Sequence, residues 1–152
     1  MKLKNPLLVV TDIDKSVEFY KKALGLHKIM DFGANVTLTG GLCLQSKESF
    51  AEFIDNQNIT FGSNNFEVYF EEDDFDSFAE KIKILDINYV HGVKEHSWGQ
   101  RVVRFYDPDM HIIEVGENMK TVCKRFIDSG MTPEQVAKRM DVPIKFVNGC
   151  MR

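Results

Sequence analysis

Two stretches decide the fold: NPLLVVTDIDKSVEFYKKALGL (Asn5 to Leu26) and EVYFEEDDFDSFAEKIKILDINYV (Glu67 to Val90) read as one unit written twice. Asp12-Ile13-Asp14 falls on Asp74-Phe75-Asp76 at an offset of 62. A duplicated unit implies a pseudo-symmetric cleft, with functional residues arriving in pairs, one from each copy. In the first copy Leu7 to Val10 form an apolar run, Asp12 stands as a helix N-cap, and Ile13, Val17, Tyr20 and Leu24 recur at helical spacing up to Gly25. Short strand patterns follow at His27 to Phe32, Val36 to Thr39 and Leu42 to Gln45, with Gly40-Gly41 as the turn between the last two. The second copy repeats this order: alternation over Phe66 to Glu71, helical spacing at Phe75, Phe78, Ile82 and Leu85, then strands at Asn88 to Val93, Arg101 to Tyr106 and His111 to Val115.

The predicted architecture is therefore α+β: two βαβββ modules forming a mixed-sheet cleft, plus a small helical extension. The expected division is 1–116 for the paired modules and 117–152 for the extension. Leu42-Cys43-Leu44-Gln45 matches His111-Ile112-Ile113-Glu114 at an offset of 69 instead of 62, which places a longer loop in the second copy, at Lys94 to Gln100. Between the copies, Ser46 to Asn64 reads as a short helix and a connecting loop.

Composition narrows the classes. The chain of 152 residues is about one domain's worth, 43% hydrophobic and 28% charged, with no apolar run near the roughly 20 residues that span a bilayer. The start, Met1 to Pro6, has no apolar stretch with a cleavage site, so a cytoplasmic protein is expected. Three widely spaced cysteines form no CxxC pair, which argues against a disulfide framework or a zinc knuckle. Residues 1–116 carry 12 basic and 19 acidic side chains, whereas 117–152 carry 7 and 4, so the tail is a cationic surface beside an anionic body.

Phe66, Val68 and Phe70 share one face of their strand, which sends Glu67, Tyr69 and Glu71 to the other. The offset maps Glu67 onto Asn5, and the hairpin ends map Gln45 onto Glu114. These segments, and most specifically WGQRVVRFYDPDMHIIEV (Trp98 to Val115), resemble the vicinal oxygen chelate superfamily of glyoxalases, bleomycin-resistance proteins and extradiol dioxygenases. The resemblance covers about residues 5–116. It implies a cleft between the modules and, in metal-dependent members, a ligand set that falls here on Asn5, Gln45, Glu67 and Glu114. The set holds no histidine where metal-using relatives commonly have one. Two carboxylates and two amides are hard oxygen donors that suit Mg²⁺ or Mn²⁺ better than tetrahedral zinc, with Ni²⁺ or Zn²⁺ as further candidates and no metal at all as the alternative. With a metal, Glu67 and Glu114 are the candidate catalytic bases of a lyase or isomerase. Without one, the cleft is a small-molecule binding site of the bleomycin-resistance type.

Tyr69 and the longer loop, with His96, Trp98 and Arg101, are the candidate substrate-binding residues. Trp98 closing the core and Arg101 pairing with an acidic neighbour is the structural alternative. In the tail, Thr132-Pro133-Glu134-Gln135 makes a helix start with a capping box, and GMTPEQVAKRMDVPIKFV resembles a helix-turn-helix. Partner docking and nucleic-acid contact by a ligand sensor are both open for it. The expected partners are a small-molecule ligand and a second copy of the chain in a homodimer, with modules paired within a chain or swapped between chains; no membrane partner is expected.

Overall fold

The computed structural model describes residues 1–151. Each copy folds as βαβββ. Strand β1 (Leu7–Val10), helix α1 (Ile13–Leu24), β2 (Lys28–Asp31), β3 (Asn35–Leu38) and β4 (Cys43–Ser46) come first. A short helix α2 (Lys47–Phe53) connects to β5 (Glu67–Glu72), α3 (Phe75–Lys83), β6 (Tyr89–Glu95), β7 (Arg101–Tyr106) and β8 (Ile112–Glu117). The two four-stranded sheets have the same order, β1-β4-β3-β2 and β5-β8-β7-β6. In the first sheet β1 runs parallel to β4 (Leu8 opposite Leu44), and the β4-β3 and β3-β2 pairs are antiparallel. Helices α4 (Met119–Asp128), α5 (Pro133–Met140) and α6 (Ile144–Cys150) complete the chain.

Local chemistry accounts for these boundaries. Asp12 accepts the Lys15 amide at 2.9 Å and Asp74 the Ser77 amide at 3.1 Å, each satisfying a backbone donor that the helix start leaves free. Gly25 ends α1 at φ 69°, a left-handed conformation that lets its amide return to Lys21 and Tyr20. The capping box at α5 forms in both directions, Gln135 N to Thr132 Oγ1 at 3.3 Å and Thr132 N to Gln135 Oε1 at 2.8 Å.

The chain packs as two compact units. The first is Met1–Glu67 with Tyr106–Ile112, and its core includes Leu8, Val10, Tyr20, Val36, Leu38 and Leu44. The turn between β7 and β8 belongs to it: Asp107 accepts the buried Tyr20 hydroxyl at 2.9 Å, and Asp109 accepts the Thr11 hydroxyl at 2.6 Å and its amide at 3.1 Å. The second unit is Val68–Phe105 with the chain from Ile113 onward. Phe75, Phe78 and Ile82 of α3 and Val103, Phe105, Ile113 and Val115 of β7 and β8 are buried there. The three C-terminal helices add a cluster of their own around Val122, Cys123, Val136, Met140 and Val147.

Two boundaries differ from the sequence reading. The longer loop is His96–Gln100, because Lys94 pairs with Val102 and Glu95 with Arg101 in the β6-β7 ladder. Phe66 precedes β5 and is half exposed, so the alternation that buries Val68 and Phe70 in part does not reach it.

Candidate functional site

In the first unit, Asn5 is exposed ahead of β1 and donates to the Gly41 carbonyl at 2.6 Å. Gly41 has φ 85° at the end of the Gly-Gly turn, so the turn and the Asn5 amide fix each other. Gln45 is buried on β4; its carbonyl accepts from Asn35 at 2.7 Å and its amide donates to Ser49. Glu67 is exposed at the start of β5 and lines an open pocket with Asn64, Asn65, Phe66 and Ile112.

In the second unit, Glu114 is buried on β8 and ion-pairs with the Arg104 guanidinium of β7. The other terminal nitrogen of Arg104 stands 3.3 Å from His91 Nε2, while His91 Nδ1 faces the Gly92 carbonyl at 2.7 Å. A ring nitrogen facing a carbonyl carries the proton, so Nε2 is the acceptor and Arg104 donates to both neighbours. His96 stacks on Trp98, ring centroids 4.2 Å apart and planes 18° from parallel, and both rings are half-buried. Burial, then the nearby Arg104 and His91, hold the His96 imidazole below the ordinary histidine value. Trp98 donates its indole N–H to Gln100 Oε1 at 3.2 Å. Gln100 in turn donates to the Tyr69 hydroxyl and to the Glu117 carbonyl, both at 2.9 Å. Tyr69 passes its own hydroxyl proton toward Glu71 at 3.1 Å. Gly116 makes room for this chain, since a Cβ there would sit 2.8 Å from the Gln100 amide and 3.0 Å from the Tyr69 ring. Tyr69, Trp98 and His96 are thus joined through one buried glutamine, with Arg104 and Glu114 next along.

A family model for the glyoxalase-like domain matches residues 3–120. The chain belongs to this family. Protein YraH of Bacillus subtilis is 31% identical over 126 residues, which are 76% of this chain and 97% of YraH. A crystal structure of a protein from Agrobacterium tumefaciens strain C58 has TM-score 0.72 and 38% identity, covering 78% of this chain and 95% of its own. At 20% identity, a glyoxalase/bleomycin resistance protein/dioxygenase from Nocardioides shares the fold, with TM-score 0.64 over 77% of this chain and 83% of its own. The vicinal oxygen chelate superfamily is thereby the right frame for the two modules. Helices α5 and α6, and all of α4 beyond Lys120, lie outside the matched domain.

The glyoxalase-like family implies a metal for some members, and two of the four expected ligands of this chain are engaged with protein partners. The Gln45 carbonyl accepts from Asn35, and Glu114 holds a guanidinium, so a cation at either would share the oxygen donors with these partners. Among the described residues no group of three or more His, Cys, Asp or Glu side chains is placed to hold a metal ion.

Arg101 belongs to a different construction. It forks onto the fully buried Glu117 (Nε to Oε2 3.1 Å, Nη2 to Oε1 3.0 Å) and reaches Asp76 of α3 at 2.6 Å. The same Glu117 accepts from Arg125 of α4 at 3.1 Å. Burial alone would raise the Glu117 carboxyl, but the hydrogen bonds from Arg101 and Arg125 outweigh it and hold it below the usual range. Sequence reasoning missed Arg104, His91 and Gln100 as members of the Tyr69 to Glu114 line. The available signal was Arg104 itself, a charged residue between Val103 and Phe105, both buried. No described helix is long and apolar enough to cross a membrane.

Proposed function

We propose that this glyoxalase-like domain is a small-molecule-binding protein that holds a planar, hydrogen-bonding ligand on the Tyr69 to Glu114 line of its second sheet, without a metal of its own. The observation that supports it is the half-buried His96–Trp98 stack, whose imidazole is near enough to feel the charge of Arg104, the partner of the buried Glu114. Stacked rings offer a flat apolar face, and an ion pair at its edge offers both a donor and an acceptor, which together orient a flat polar molecule. In the metal-dependent lyase or isomerase reading an ion at Glu114 or Gln45 has to compete with the Arg104 guanidinium and the Asn35 amide already bound there. In the same reading the chain is cytoplasmic, in keeping with three free, buried cysteines, and forms a homodimer. The apolar side chains exposed on sheet edges, Ile29 and Met30 of β2 and Tyr89, Val90 and Val93 of β6, support the dimer.

The sequence contains one tryptophan, so the candidate site reports on itself. Titration with a panel of planar heteroaromatic compounds, bleomycin included, is expected to quench or shift Trp98 emission and to release heat that Arg104→Met and Trp98→Leu abolish. No response to any compound, together with Mn²⁺ or Ni²⁺ binding that Glu114→Gln removes, overturns the reading in favour of the metal enzyme.

A further inference from the structure

The loop that carries Trp98 and His96 is held from behind by the C-terminal helices. Gly99 has φ 91°, and any Cβ there would collide with the Phe126 ring of α4, so the ring fills the space that only a glycine leaves. Arg125 of α4 donates to the Gly99 carbonyl at 2.6 Å and shares Glu117 with Arg101. Arg139 of α5 reaches Glu95, the last residue of β6 before the loop, at 3.2 Å. Both guanidiniums also lie against Phe126, at 5.1 and 5.3 Å from its centroid. The loop's far end is fixed through Gln100, which donates to the backbone of Glu117. Every residue of the grip from the tail, Arg125, Phe126 and Arg139, lies beyond residue 120, outside the family domain.

From this geometry we infer that Arg125, Phe126 and Arg139 are positioning residues for the ligand site, and that the tail sets the placement and rigidity of the Trp98–His96 pair. A five-residue loop with a glycine at its fourth position would otherwise sample many conformations, and presenting two stacked rings would cost binding energy to order them. The consequence for affinity rests on the proposed ligand reading; the consequence for Trp98 itself does not.

The test uses the full chain with Arg125→Met, Phe126→Leu and Arg139→Gln, the exposed Lys138→Ala as control, and Arg125→Lys as the conservative variant. In the ligand-free proteins, all still melting cooperatively, the first three are expected to red-shift Trp98 emission and increase its quenching by acrylamide. Lys138→Ala is expected to match the parent, and Arg125→Lys to recover part of the shift by donating once to Gly99. For any compound that binds, affinity is expected to fall about two- to tenfold, the worth of one placed aromatic pair. Arg139 is on the more open side of the grip and serves if the α4 variants fail to fold. Unchanged emission and quenching in the folded variants overturns the inference, whether or not a ligand is found. A Trp98 response in a protein that binds no compound upholds the inference and defeats only the ligand reading.

Discussion

Replacing Glu117 by glutamine isolates the tie between sheet and tail. The carboxylate has no exposure and accepts three hydrogen bonds, two from Arg101 and one from Arg125. Removing one partner from a buried ion pair costs about 3–5 kcal/mol. Two features reduce this here: the arginine side chains are 26% and 36% exposed, so water replaces part of what they lose, and Arg101 keeps Asp76. The expected loss is about 2–3 kcal/mol, or roughly 5–10 °C in Tm for a chain of this size. The pH dependence gives the reasoning its sign. The folded-state carboxyl is depressed, so its contribution is fully present above the unfolded value of about 4.3 and is lost as pH falls below that through the folded value. Urea unfolding followed by Trp98 emission at pH 7, and at the lowest pH where the parent still unfolds cooperatively, measures both. The gap between parent and variant should close toward acid. A loss under about 1 kcal/mol at pH 7, or a gap that does not narrow, refutes the assignment of Glu117 as an ionised, buried anchor.

Tyr20→Phe removes the buried hydroxyl that donates to Asp107 and should cost about 1–2 kcal/mol, read from the urea midpoint by circular dichroism; a neutral result would mean the turn does not depend on it. Gly99→Ala meets both a left-handed backbone and the Phe126 ring, and should lose about 2–4 kcal/mol by thermal melting, far more than alanine costs at an ordinary loop glycine. His96 should titrate below about 6.5 when followed by Trp98 emission or by its ring proton resonances. Because the unfolded chain then binds the proton more readily than the folded one, stability should fall as pH drops through that range; a midpoint at or above the ordinary value would contradict the burial of the ring.

Much of the fold was legible because each of its signals is local. Asp12 and Asp74 cap their helices, Gly25 takes the left-handed turn, and the Thr132 capping box closes, all through groups within five residues of those they serve. The candidate site was legible only in part. RVVRFY buries Val102, Val103 and Phe105, so residues on both faces of β7 are covered and alternation cannot tell which of its two arginines lies on the face of Glu114. Arg101 was expected there, yet it lies with Asp76 and Glu117, while Arg104 pairs with Glu114. Gln100 gave no sign of its role, because a hub of three hydrogen bonds to residues 2, 17 and 31 positions away exists only once the strands are assembled.

The charge asymmetry between body and tail takes on a structural meaning at the same point. A cationic extension on an anionic domain reads first as a surface for an anionic partner. Two of its arginines are instead engaged within the second unit, Arg125 with Glu117 and the Gly99 carbonyl, Arg139 with Glu95. Among the described residues of the tail Lys120, Lys124, Lys138 and Lys145 remain exposed, point charges without the forked geometry that arginine brings to phosphate. The duplication points the same way. The first copy supplies amides at Asn5 and Gln45 that serve its own turn and strand, whereas the second supplies the buried carboxylates Glu114 and Glu117, one facing Arg104 and the other facing the tail. Two buried carboxylates three residues apart lie on opposite faces of β8, so the strand that presents the candidate site is also the strand to which the extension is tied. A perturbation of the tail therefore has a short path to the site: Glu117 to Gln100 by its carbonyl, and Gln100 to Trp98 by one hydrogen bond.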